Sequence, residues 1–278
     1  MRSVLFSACA WAFVLWMVPA PSHAQRSADS SVYRSRPWVD LPLVLGSAGL
    51  VLGGAQVQAA QQPLGESFVI SLDPASVNGF DRWATEIDLE ERGSARMRSD
   101  VLLWSSACAP FALLFDREVR KEWDHVFTFY AEAMLATSAL QSWTVIAAER
   151  VRPIAYIPEA PITDRMEAKN RLSFFSGHTS STACASFFMA RVLDDMHPEF
   201  GGWRWLLYTA ALMPPAFTGY YRIQAGKHFP TDVLVGLAVG GATGVLVPAL
   251  HKRRRPNGLS VLPTTVPGGL GLHMALQW

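Results

Sequence analysis

The chain has 278 residues, of which 50% are hydrophobic and 17% charged, and its formal net charge is +1. That length suffices for one large domain, and a near-neutral balance lacks the basic or acidic excess that nucleic-acid binding needs, so no nucleic-acid partner is expected. Charge is local instead, confined to short stretches between apolar runs.

Met1 to Ala24 carries one arginine, an apolar core from Val4 to Val18, a proline break, and Ser22-His23-Ala24 as a small-x-small cleavage site. It reads as a secretory signal peptide. Residues 25–40 read as a polar linker. The run from Leu41 to Ala60 is apolar and rich in Gly, Ala and Gln, which predicts a closely packed helix just long enough to span a bilayer. Residues 61–100 are punctuated by Pro63, Gly65, Pro74 and Gly79 and dense in charge, an extramembrane or interfacial stretch. Within it Asp81, Arg82 and Asp100 read as caps and salt bridges ahead of the second helix.

Four further apolar runs follow, Val101 to Phe115, Val126 to Ala148, Thr179 to Leu193 and Trp205 to Tyr221, then a last one from Val233 to Leu250. They exceed strand length and show no sustained alternation, so they predict helices. The expectation is an all-α, membrane-embedded bundle of six helices, with the helical domain over residues 41–250. Cys108 and Cys184 lie in apolar runs as small hydrophobes, and no structural disulfide is expected. The runs 101–115 and 179–193 are short for a hydrocarbon core that takes about 20 helical residues. Residues 251–278 begin with His251-Lys252-Arg253-Arg254-Arg255 and end in a tail that predicts a hairpin-like pair of strands turning at Pro267-Gly268-Gly269.

The chemistry-bearing residues sit where apolar runs end. Glu149 to Ile154 reads ERVRPI, and its Arg152-Pro153 pair closes one helix and presents a guanidinium. Ser173 to Ser181 reads SFFSGHTSS, placing Ser176, Gly177 and His178 at the start of another. A helix amino terminus offers free N–H groups and the positive end of the dipole to an anion, and glycine lets the main chain approach it closely. Arg222 to Asp232 reads RIQAGKHFPTD. Pro230 suits the first helical position, which puts Asp232 in the first turn, where at i+4 it reaches the His228 ring, accepts its Nδ1 proton and leaves the Nε2 lone pair outward. Taken singly, this last stretch is equally a loop histidine beside a helix-capping aspartate, and an Arg-Pro pair by itself carries almost no meaning.

Arg-Pro, then Ser-Gly-His, then Arg-x5-His-x3-Asp, in that order, resembles the type 2 phosphatidic acid phosphatase and vanadium haloperoxidase superfamily, whose pattern is KxxxxxxRP, PSGH and SRxxxxxHxxxD. The resemblance covers residues 126–250. It implies that His228 attacks phosphorus, Asp232 orients it, and His178 protonates the leaving alkoxide. Arg152, Arg222, Ser176 and the Gly177 amide would hold the phosphoryl oxygens, a phosphohistidine would form and be hydrolysed, and neither metal nor cofactor is implied. Three positions depart from the pattern: Val145 stands for the lysine, Phe175 for the proline and Tyr221 for the serine. Lys169 or Arg171, in the loop before the Ser-Gly-His stretch, are the expected replacements for the missing ammonium.

The implied activity is a metal-independent phosphatase acting on a phosphate monoester or pyrophosphate of a lipid, in the bacterial cell envelope with its site facing the periplasm. A soluble periplasmic acid phosphatase, or a non-catalytic bundle binding lipid head groups, are the alternatives. One conflict is built in. A cleaved leader followed by six full spans would put the basic run at 252–255 outside, against the positive-inside rule.

Overall fold

The computed structural model describes residues 31–253 and, beyond them, the backbone of residues 258–266 and 269–277; the expected signal peptide lies outside the described residues. Six long helices carry the fold: α1 (Pro37–Ala59), α2 (Arg92–Cys108), α3 (Trp123–Ala148), α4 (Gly177–Met196), α5 (Arg204–Gln224) and α6 (Pro230–His251). Two one-turn helices, Glu66–Ile70 and Ile162–Arg165, lie in the connections. All six predicted runs are helices in the predicted order, and the differences are at their ends. Helix α2 begins at Arg92 rather than Val101; its buried stripe is made of small residues, Ala95, Ser99 and Ser106, and Arg92, Arg96, Arg98 and Asp100 fall in its first turns, so no apolar run marks its start. Asp100 therefore lies inside this helix and not ahead of it.

The segment read as a linker is packed from Tyr33 onward. Tyr33 is fully buried in the core beside Val126, Phe129 and Phe188. Its hydroxyl donates to Asp195 at 3.0 Å, and the Val32 and Tyr33 amides donate to Glu122 at 2.7 and 3.0 Å. A short bridge pairs Tyr33 with Lys252, flanked by Arg34 N–H to His251 O and Arg253 N–H to Val32 O, each at 2.9 Å. Both ends of the helical body thus meet on one side.

Helix α4 is the centre, packed against α2, α3, α5 and α6, while α1 packs on α3. Close approach of α6 to α4 rests on three glycines four residues apart. A Cβ on Gly236, Gly240 or Gly244 would lie 2.7, 2.0 and 2.5 Å from the carbonyl oxygens of Ser176, Ser180 and Cys184. Small residues at such spacing let two backbones touch where hydrophobic burial gives little help. Cys184 is buried in this contact and Cys108 is exposed; both are free.

Helices α1 and α6 are long and apolar enough to cross a membrane, and only 17% and 22% of their most apolar windows are buried. Trp38, Leu45, Leu52, Leu234, Leu246 and Leu250 point outward. Contiguous apolar exteriors of this extent belong against hydrocarbon rather than water. Beyond the bundle, Gly258–Val266 pairs antiparallel with Gly269–Gln277.

Candidate functional site

The ends of α3 and α5 and the starts of α4 and α6 converge at the end of the bundle away from Tyr33. Two backbone conformations bring them together. Glu149 closes α3 in the left-handed region at φ 43°, turning the chain so that Arg150 and Arg152 leave the helix axis. Gly226 has φ 66°, and a Cβ there would meet Ile87 Cδ1 at 2.9 Å and Ile154 Cβ at 3.3 Å. Its carbonyl accepts from the Ile154 amide at 3.2 Å, so the turn carrying Lys227 and His228 is docked on the Arg152-Pro153 segment. Pro230 opens α6 as expected, with Phe229 as its cap.

His228 is 3% exposed. Its Nδ1 lies 2.7 Å from the Ser173 carbonyl, whereas Asp232 Oδ2 stands 3.7 Å away. The expectation that Asp232 accepts the Nδ1 proton is corrected here: the backbone carbonyl takes it, and that bond sets the tautomer with the lone pair on Nε2. Asp232 is committed elsewhere. Its Oδ2 accepts from the Phe229 amide at 2.8 Å and Ser173 Oγ at 2.6 Å, and its Oδ1 accepts from Arg150. Arg150 reaches on to Thr231 Oγ1 and to Asp81 Oδ2, each at 2.7 Å, and lies over the Phe229 ring. Asp81, fully buried, also accepts from the Thr231 amide at 2.9 Å. It takes part in a salt bridge as expected, here as the far anchor of the network that holds Asp232. Burial pushes the His228 imidazole down to about 3, with Arg222 and Arg152 adding to the effect against Asp232. The ring is neutral at any physiological pH.

Around it stand three cations, Arg222 and Lys227 buried and Arg152 half-buried. Arg222 is 5% exposed, with Nη1 3.8 Å from Asp100 Oδ1, and Arg152 Nη2 donates to Leu172 O at 3.3 Å. The Nε of each is buried without an acceptor. Burial lowers Arg152 to about 10. Lys227 is 6% exposed, with Nζ 3.5 Å from Glu167, and burial followed by the repulsion of Arg152 pushes it down to about 8. Crowded cations with unpartnered donors are the signature of a site shaped for an anion.

His178 Nε2 lies 2.8 Å from Asp100 Oδ1. Burial, then Arg222, holds its imidazole near 4 despite that carboxylate. Gly177 and His178 begin α4, where their N–H groups have no acceptor within the helix. Ser176 is different. It caps the helix, its hydroxyl accepting from the Thr179 amide at 3.4 Å and pairing with Thr179 Oγ1 at 2.9 Å, so its side chain is engaged in the cap rather than free for a ligand.

Val145 is buried, and neither expected replacement for the missing lysine reaches the site. Lys169 is exposed, and Arg171 lines a separate depression with Gln61, Gln62 and Glu149. The ammonium among the arginines is Lys227, next to the histidine itself. Asp81, Asp100, Arg150, Ser173 and Lys227 were therefore missed as site residues. Only Lys227 left a trace in the sequence, as a charge immediately before the motif histidine. Beside Asp100 and Arg96, an open groove of about 670 Å³ runs along α2 past Met97, Val101 and Trp104.

The PAP2 superfamily pattern matches residues 127–256. A decaprenylphosphoryl-5-phosphoribose phosphatase of Mycobacterium tuberculosis is 32% identical over 35% of this chain and 49% of its own length. Phosphatidylglycerophosphatase B of Bacillus subtilis is 30% identical over 44% of this chain and 55% of its own. The chain thus spans about half the length of the curated relatives it matches. A crystal structure of a transmembrane PAP2-type phosphatidylglycerolphosphate phosphatase from Bacillus subtilis aligns with 77% of this chain and 96% of its own at 23% identity, with a TM-score of 0.40. Over residues 127–256, where all three motifs lie, this chain matches the PAP2 superfamily.

Proposed function

We propose that the protein is a lipid phosphate phosphatase that works through a phosphohistidine on His228. The observation that carries this reading is a neutral imidazole, its tautomer set by Ser173, beside two guanidiniums whose buried Nε atoms lack acceptors. A phosphoryl group supplies those acceptors. Nε2 of His228 attacks phosphorus, the P–O ester bond breaks, and the leaving alkoxide takes its proton from His178. Water, losing a proton to His178, then attacks the phosphohistidine and releases phosphate. His178 is held near 4 by burial and then by its arginine neighbours, so it gains its proton as the substrate's negative charge settles among them. Asp100 keeps that ring in place, and Lys227 fills the role of the ammonium absent at Val145. The equatorial oxygens meet Arg152, Arg222, Lys227 and the Gly177 amide, where charge spreads in the transition state.

A lipid is favoured over a soluble ester because the groove along α2 carries Arg96 and Asp100 at its polar side and Met97, Val101 and Trp104 toward the apolar exterior. Head group and acyl chain have matching surfaces there. The relatives' named substrates, a phosphorylated polyprenyl sugar and phosphatidylglycerophosphate, are of this class. The catalytic end lies opposite the pairing of residues 32–34 with 251–253. If the basic run that begins at Lys252 faces the cytoplasm, the site faces the periplasm, and residues 31–36 lie on the inner side, against the expectation of a cleaved leader.

The test is phosphate release by detergent-purified protein from phosphatidate, phosphatidylglycerophosphate and p-nitrophenyl phosphate, without added metal. We expect the lipids to be preferred in kcat/KM, inhibition by vanadate, and loss of all turnover in His228→Ala. Activity surviving in His228→Ala, or turnover that needs an added divalent cation in protein whose Tm is unchanged by chelation, refutes the mechanism.

A further inference from the structure

At the opposite end of the bundle from His228, α6 closes on a buried cluster that phosphoryl transfer does not use. His251 ends α6, Asp40 lies in the first turn of α1, and Glu132 projects from α3; they are 7%, 3% and 6% exposed. Nineteen helical residues separate His251 from Asp232, about 28 Å at 1.5 Å per residue, so this is not an extension of the catalytic site. One ligand atom from each of the three lies within 4.8 Å of the others.

The hydrogen bonding decides what those atoms are. His251 Nδ1 lies 2.8 Å from the Val247 carbonyl, an acceptor only, so Nδ1 carries the proton. In the neutral ring Nε2 then holds a lone pair. It faces Asp40 Oδ1 at 3.1 Å and Glu132 Oε2 at 3.8 Å. Glu132 Oε2 is buried and has no hydrogen-bond partner at all. Asp40 is aimed by its other oxygen, which accepts from the Arg36 amide at 2.6 Å, and the imidazole is clamped under the Phe129 ring, centroids 4.0 Å apart. Three electron-rich atoms, those of His251 and Asp40 each positioned by a second contact, therefore converge on one point with no donor between them among the described residues.

We propose that Asp40 Oδ1, Glu132 Oε2 and His251 Nε2 bind a divalent transition-metal ion, with zinc the best fit, which clips α1 and α6 to α3. Two carboxylates and one imidazole neutralise a dication. Donors at about 2.0–2.2 Å from a tetrahedral zinc stand roughly 3.3–3.6 Å from one another, and the observed separations of 3.1 and 3.8 Å straddle that span. The Val247 carbonyl on Nδ1 and the Arg36 amide on Asp40 are the outer contacts that orient such ligands. A fourth position is left for water. The ion holds together the end of the body where residues 32–34 pair with 251–253.

The test is the zinc content of full-length protein, loaded with ZnCl2 in detergent and freed of loose metal by gel filtration, beside Glu132→Gln and His251→Gln. We expect about one zinc per chain in the wild type and background levels in both variants. Cobalt-loaded wild type should show the visible absorption of a four-coordinate ion, and EDTA should lower Tm in the wild type alone. Should either variant fail to fold, the wild-type cobalt spectrum and EDTA shift still decide the matter. Zinc at background in folded wild type, or no cobalt band and no EDTA shift, overturns the proposal and leaves a proton shared between His251 and the carboxylates. Metal content is read independently of phosphatase activity, so failure here leaves the function proposed for His228 standing.

Discussion

Gly240→Ala is the substitution with the clearest structural consequence. Its Cβ would sit 2.0 Å from Ser180 O and 2.7 Å from Ser180 C, and both are backbone, so no side chain can swing aside. Relief from 2.0 Å to an ordinary contact of 3.4 Å requires α6 and α4 to part by about 1.4 Å, an overpacking that typically costs about 1–3 kcal/mol. The same two helices carry the catalytic groups. Ser176 N–H donates to Asp232 O at 3.0 Å across their amino ends, and parting them draws His228 away from the α4 amides that are to hold the phosphoryl oxygens. Misplacement of reacting groups by about 1 Å costs on the order of 10² in rate. Gly241→Ala is the control, because its Cβ would meet the Phe187 side chain at 3.4 Å, an ordinary contact with a group that can adjust. Tm by scanning fluorimetry and kcat on p-nitrophenyl phosphate should fall together for Gly240→Ala and stay near wild type for Gly241→Ala. If Gly240→Ala loses Tm but keeps kcat, or if the two variants behave alike, the α4–α6 contact does not set the site geometry.

His178→Ala should lose up to about 10⁴ in rate on an alkyl phosphate, whose alkoxide leaves only when protonated, and far less on a p-nitrophenyl ester; equal losses on both would refute its role as the general acid. Lys227→Met should raise the vanadate inhibition constant by about 10², as loss of one phosphoryl donor does, with partial recovery in Lys227→Arg. Because Lys227 is held down to about 8, raising the pH through that value removes its charge, so wild-type kcat/KM should decline above it and that limb should vanish in Lys227→Arg. Arg150→Met leaves Asp232 and Asp81 as unpaired buried carboxylates. For an arginine side chain 26% exposed we expect about 3 kcal/mol, the lower end for breaking a buried pair, read by chemical denaturation; an unchanged midpoint would mean that the network does not hold Asp232.

Much of the fold was legible because its causes are local. Six apolar runs too long for strands could only be helices, and Pro230 and Ser176 mark helix starts through preferences that act within one turn. The three motifs likewise lie where those runs end, so the positions of His178, Arg222 and His228 at helix boundaries followed from the sequence. The beginning of α2 did not, because small buried residues leave no apolar period to read.

What only the tertiary structure decided is which groups meet. Asp232 sits four residues from His228, yet its oxygens were claimed by Phe229, Ser173 and Arg150, and the proton went to a carbonyl 55 residues away in sequence. Asp100 reaches His178 across 78 residues, and His251 reaches Asp40 across 211. The ammonium sought at 169 or 171 came from 227, because the positive φ of Gly226 turned that side chain inward while the α4–α6 glycines drew the helix ends together. Residue type and spacing determine what a side chain can bind. A hydrogen bond, however, acts over about 3 Å, and which acceptors come within that distance is settled only when the helices pack.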